Sequence, residues 1–262
     1  MKLHRPIGIF DAGIGSYAIV ERVRARFPMQ DIIYFADRAS FPYGAKTPEE
    51  LLESVRSATD YLCNEGCAAV VLASNAPSVV VLDALRAAVS VPVIGIFPPV
   101  REAIERSKSK QVAILGVRSL VSSDAMKIYA NKNSTPESKV LLINASSLVD
   151  LVENFTFLND PGATQEIVTR FILEVRRAAP EVDVMTMSST HLPWLKQFFM
   201  SAAPDVLFLD PADAVLDELH SYTSNGAGYT RCVATETAEL SLERFNAALL
   251  SLGTSHAAML IT

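Results

Sequence analysis

The sequence predicts an α/β fold, built as two similar doubly wound α/β lobes with parallel sheets and a cleft between them. Three observations predict it. Short apolar runs, rich in β-branched residues and nearly continuous, recur along the chain, as strands covered on both faces require. Longer helical patterns lie between these runs, and strand–helix alternation is how a parallel sheet wrapped by helices reads in sequence. Finally, residues 70–77 and 184–193 each run from an apolar strand through small polar residues to a proline just inside a helix, a faint internal echo of two similar halves.

In chain order, strands are expected over residues 7–10, 32–35, 69–73, 93–96, 112–115, 140–143, 182–187 and 206–209. A helix over 16–27 follows a glycine loop. A second, over 48–64, has Thr47 as its cap and Pro48 in its first turn. Further helices start near Pro77, Pro98, Ser119, Gly162, Leu192 and Pro211. Residues 130–138 and 155–162 read as polar or turn-rich surface connections, too short to link independent domains. Pro98-Pro99 marks a crossing into a second lobe, and Leu209-Asp210-Pro211 the return. The first lobe is then discontinuous, 1–97 plus 210–262, with 98–209 as the second.

A chain of 262 residues can bury a core in each of two modest domains. The net charge is −6 and no basic stripe exists to replace phosphate counterions, which argues against a nucleic-acid partner. Arg101, Arg106, Lys108 and Lys110 are diluted by Glu102 and Glu105 and read as a solvated helix end. No apolar run reaches the roughly 18 residues of a membrane span. The first residues lack the apolar core and cleavage site of a signal peptide, so a cytoplasmic protein is expected. Cys63, Cys67 and Cys232 read as buried thiols in a reduced compartment, with no second pair of ligands for a metal.

Ligands of open α/β sheets bind beyond the carboxyl ends of the strands. Standing there are Asp11-Ala12-Gly13, Asp37, Phe41-Pro42-Tyr43-Gly44, Ser74-Asn75, Gly116-Val117-Arg118-Ser119 and Ser188-Ser189-Thr190-His191. Asp11, Ser74, Asn75, Ser189, Thr190 and His191 would each also serve as a helix cap; several in register favour a site. Gly13-x-Gly15-x-x-Ala18 with Asp37 beyond it matches a dinucleotide fingerprint. Asp11, directly before the glycines, argues against it: a carboxylate facing a pyrophosphate at close range costs on the order of several kcal/mol. The glycines read instead as a tight turn with close helix approach.

Ile7-Gly8-Ile9-Phe10-Asp11-x-Gly13-x-Gly15, Ile33-Tyr34-Phe35-x-Asp37, Pro42-Tyr43-Gly44, Pro92-Val93-Ile94-Gly95 and Thr190-His191-x-Pro193-x-Leu195 together resemble glutamate racemase, within the aspartate/glutamate racemase superfamily. The resemblance covers nearly the whole chain. It implies a cofactor-independent reaction in which two cysteines, one from each lobe, flank the α-carbon; one removes a proton and the other returns one. It puts those positions at Ser74 and Ser189, gives Asp11 and His191 a part in proton movement, and lines the substrate pocket with Ala12, Pro42, Tyr43, Gly44, Asn75, Ala76 and Thr190. A small amino acid or carboxylate is the implied ligand, with no metal, and a homodimer the implied assembly. Both base positions hold serine here, and Ala12 and Ala76 stand where the family usually has Ser and Thr. Leu120 lies near the place of a further Thr, and Arg118 is a possible substitute for its hold on a carboxylate. Two alternatives follow from the serines: an inactive homologue that binds a small ligand or regulates, or an enzyme of different chemistry on the same fold, using Ser74 or Ser189 with His191.

Overall fold

Each continuous apolar run of the sequence becomes a parallel strand. The computed structural model describes residues 3–254 and 256–261. Its strands are β1 (Ile7–Asp11), β2 (Ile32–Ala36), β3 (Ala69–Leu72), β4 (Val93–Gly95), β5 (Gln111–Gly116), β6 (Lys139–Asn144), β7 (Val184–Met187), β8 (Leu207–Leu209), β9 (Thr230–Ala234) and β10 (Ala258–Leu260). They form two sheets, ordered β10-β9-β2-β1-β3-β4 and β6-β5-β7-β8, and neighbours pair in parallel throughout. The chain divides into two compact units: residues up to Ile96 with those from Ala212 onward, and Phe97–Pro211.

Within the first unit, every residue of β1, β2 and β3 is buried. Burying one such Ile or Val side chain contributes about 1.5–3 kcal/mol, so this sheet holds much of that unit's driving force. Edge strand β6 is half-exposed and begins on exposed Lys139, a charge that discourages further pairing.

Strand order fixes where a ligand can bind. From β1 the chain passes to β2 on one side and then to β3 on the other; from β5 it passes to β6 on one side and then to β7 on the other. Each sheet therefore has a switch point, between β1 and β3 in one and between β5 and β7 in the other, where connections leave in opposite directions and open a crevice at the carboxyl ends. The orders β4-β3-β1-β2 and β8-β7-β5-β6 are the same pattern. The internal echo in the sequence is thus a repeat of topology, with Ser74 after β3 corresponding to Ser189 after β7.

The helices follow local signals. Thr47 and Glu50 form a reciprocal capping box at the start of the helix Pro48–Asn64. Residues 155–162, which read as a turn, instead hold a short helix, Thr156–Asn159, and the start of Pro161–Ala178. The Asp-Pro-Gly that suggests a turn is an N-cap followed by proline at the first helical position: the Asp160 carboxylate accepts from the Ala163 amide at 2.9 Å. Similarly, the polar stretch after 130 begins as the end of a helix, Asp124–Lys132. A helix not expected from the sequence, Ser146–Glu153, buries Leu148, Leu151 and Val152 in the second unit. At the end of β5, a Cβ on Gly116 would lie 2.9 Å from the Leu120 side chain and 3.3 Å from the Ser188 carbonyl. Glycine there lets the loop after β7 close against β5.

Candidate functional site

In the first unit, polar groups gather at the ends of β1, β2 and β3. Asp11 is buried at the end of β1 and accepts from the Ala12 amide at 2.7 Å. Arg38 donates to the Ala12 carbonyl at 2.9 Å, with its guanidinium over the Phe41 and Phe245 rings. Residues Ile14–Ser16 make a 3-10 turn, and Gly13 is extended at φ −95°, ψ 166°. The Asp37 carboxylate accepts from the Tyr43 hydroxyl at 3.0 Å and from the Thr235 hydroxyl at 3.2 Å. This binds the loop after β2, and with it Pro42 and Gly44, both exposed, to the sheet. Burial pushes the buried Tyr43 hydroxyl well above its ordinary range, and the Asp37 and Asp11 charges add to this, so it is a donor at any working pH.

Ser74 is extended and occupies the capping position of the helix Asn75–Val80, yet its side chain makes no capping hydrogen bond. The turn is held instead by Ser78, whose hydroxyl donates to the Ser74 carbonyl at 2.7 Å and accepts from the Ile96 amide at 3.0 Å. Asn75 is 3% exposed; its Nδ2 donates to the Ile96 carbonyl at 3.2 Å while its Oδ1 is buried with no hydrogen-bond partner. A buried amide oxygen left unpaired costs about 1–3 kcal/mol. Ala76, next to it, is buried.

The second unit carries a linear array. Ser189, Thr190 and His191 are all buried in the turn after β7. Ser189 Oγ lies 3.4 Å from His191 Nδ1, and His191 Nε2 lies 2.7 Å from Glu153 Oε1. The Leu192 amide donates to the Ser189 carbonyl and the Trp194 amide to the His191 carbonyl, which fixes the turn. His191 precedes the 3-10 turn Leu192–Leu195 without capping it through its side chain. Glu153 is the last residue of its helix. It escapes sequence reading because it lies 38 positions from His191 with no local motif around it. The only available signal was the apolar spacing of Leu148, Leu151 and Val152, which places a helix just before it. Leu120 is buried, its side chain 2.9 Å from where a Cβ on Gly116 would lie, and Arg118 is exposed.

Cys67 and Cys232 are buried, and burial pushes both thiols up to about 12. Among the described residues, no group of three or more His, Cys, Asp or Glu side chains is placed to hold a metal ion, and no helix is long and apolar enough to cross a membrane.

The family model described as Asp/Glu/Hydantoin racemase matches residues 17–219. This chain belongs to that family. A glutamate racemase of Ralstonia pickettii (strain 12J) is 30% identical to this family member over 257 residues, 95% of this chain and 89% of that one. The solved glutamate racemase from Thermus thermophilus, in complex with β-chloro-D-alanine, has a TM-score of 0.78 at 26% identity, covering 98% of this chain and 96% of that one. Escherichia coli glutamate racemase, solved with L-glutamate and the activator UDP-MurNAc-ala, has a TM-score of 0.84 at 21% identity over 99% of both chains, a likeness of fold. The parallel α/β architecture expected from the sequence is the architecture of these racemases.

Proposed function

We propose that this racemase-family member takes glutamate or a related small amino or carboxylic acid, without a cofactor, using residues from both units. Ser74 and Ser189 occupy the two base positions in this reading, with Asp11 and His191 beside them. Ala12, Pro42, Tyr43, Gly44, Asn75, Ala76 and Thr190 form the binding surface. The observation that carries the reading is Asn75. Its buried, unpaired Oδ1 next to Ser74 has the character of an acceptor kept for an N–H donor such as an α-ammonium group.

Serine changes what the site does with its ligand. A thiol, with an ordinary pKa near 8.5, supplies a thiolate base near neutrality. A hydroxyl is a far weaker acid and acts only through a neighbouring base. The protein therefore binds its ligand but moves the α-proton much more slowly than a dithiol site would. A cytoplasmic homodimer belongs to the same reading.

Calorimetric titration with the two enantiomers of glutamate and of aspartate tests it. Saturable binding of at least one is expected. Absence of binding by all of them, in a preparation of verified fold, overturns the reading.

A further inference from the structure

Ser189, His191 and Glu153 form a hydroxyl–imidazole–carboxylate array contained within the second unit. We propose that Ser189 is an activated nucleophile, poised by His191 and Glu153 to accept a small acyl group from a carboxylic ester. The inference uses the Ser189 position of the proposed site but not its ligand.

Three features support it. The first is geometry: in the neutral ring that donates Nε2–H to Glu153 at 2.7 Å, the Nδ1 lone pair faces Ser189 Oγ at 3.4 Å. That is the arrangement in which a base, oriented by a carboxylate, can take a serine proton; such contacts are commonly long before a substrate is bound. The second is placement. Glu153 ends its helix, where a carboxylate meets the negative end of the helix dipole, a position disfavoured by about 0.3–1 kcal/mol. A 2.7 Å hydrogen bond engages that carboxylate on a buried imidazole. The third is burial. Ser189 is 6% exposed and His191 7% exposed, so the array is largely shielded from bulk water.

The chemistry balances within these groups. Ser189 Oγ attacks the ester carbonyl carbon, the new C–Oγ bond forms, and the bond from that carbon to the leaving oxygen breaks. The Oγ proton passes to His191 Nδ1 and from there to the leaving oxygen. Water, deprotonated by the same nitrogen, then attacks the acyl carbon and releases the carboxylic acid, restoring the hydroxyl. His191 touches the reacting atoms and is a catalytic residue in this step; Glu153 acts through it and is a positioning residue.

The test uses p-nitrophenyl acetate with the full chain, following p-nitrophenolate release, intact mass and peptide mapping. The expected result is a single acetyl group on Ser189, absent from S189A. H191N should slow acylation about a hundredfold or more. E153A should slow it about tenfold, with E153Q regaining part of the rate through its retained hydrogen bond; a purely structural role for Glu153 would change stability and leave the rate alone. S54A, in the first unit, keeps the wild-type rate. No adduct, an adduct confined to other residues, or a wild-type rate in folded H191N overturns the proposal. Should S189A fail to fold, mapping of the adduct on the wild-type chain decides alone. Glutamate titration of the same preparations separates the two readings. Binding without an adduct overturns this inference only, whereas an adduct without binding leaves it standing and overturns the ligand assignment.

Discussion

Replacing Asn75 with leucine separates a binding amide from a structural one. Asn75 makes one hydrogen bond to the protein, from Nδ2 to the Ile96 carbonyl at 3.2 Å, and buries Oδ1 unpaired. Leucine keeps the branching of the side chain and removes both polar groups, but is larger. Losing the orphan oxygen relieves about 1–3 kcal/mol, and stranding the Ile96 carbonyl costs about as much. The two nearly cancel and the larger side chain adds about 1–3 kcal/mol of overpacking, so stability in urea unfolding, followed by circular dichroism, should fall by no more than about 3 kcal/mol. Affinity is different. A hydrogen bond to a charged donor contributes about 1.5–3 kcal/mol, so binding of an amino acid should weaken roughly ten- to a hundredfold. A variant destabilised by more than about 3 kcal/mol would mark Asn75 as a structural anchor. Unchanged affinity in a stable variant would show that Oδ1 faces no ligand. Either result refutes the reasoning.

Asp183 provides a pH test in the second unit. Burial raises its carboxyl, but the Ser107 and Ser109 hydroxyls and the Lys108 and Ser109 amides donate to it and hold it below the usual carboxylate range. A lowered carboxyl pKa stabilises the fold above the unfolded value, about 3.9, and that contribution is lost as pH falls through the folded one. D183N should therefore cost about 1.5–3 kcal/mol at neutral pH and flatten the loss of stability below about pH 4, read from unfolding curves at several pH values. The cysteines give a third prediction. With Cys67 and Cys232 pushed up to about 12 by burial, neither carries appreciable thiolate at pH 8, and iodoacetamide should label them only after unfolding. Rapid alkylation of either in the folded chain would contradict the packing.

The strands from β1 to β8 were legible because a parallel strand, buried on both faces, writes itself as a continuous β-branched run. β9 and β10 were less so: Arg231 interrupts the first, and the second is only Ala258–Leu260. In each unit, strand ends single out the candidate residues, Ser74 and Asn75 in the first and Ser189 and His191 in the second, since chain leaving a parallel sheet must turn there and carries polar residues where it turns. Side chains brought in from elsewhere left no such mark. Glu153 comes from a helix of only 8 residues, too short for its amphipathic pattern to stand out, and Thr235 reaches Asp37 from beyond β9 across 198 positions. The Ser189–His191 contact is local, but its extension to Glu153 is a product of packing alone.

Exchange of the α-proton in heavy water, followed by NMR with both enantiomers of glutamate and aspartate, tests the central proposal that this chain takes an amino acid with Ser74 and Ser189 in the two base positions. For the wild-type chain the account predicts binding with little or no α-deuteration, and for S74C/S189C deuteration with inversion of the bound amino acid. Wild-type exchange as fast as that of the double variant would contradict it, as would a folded double variant that neither binds nor exchanges any of these amino acids.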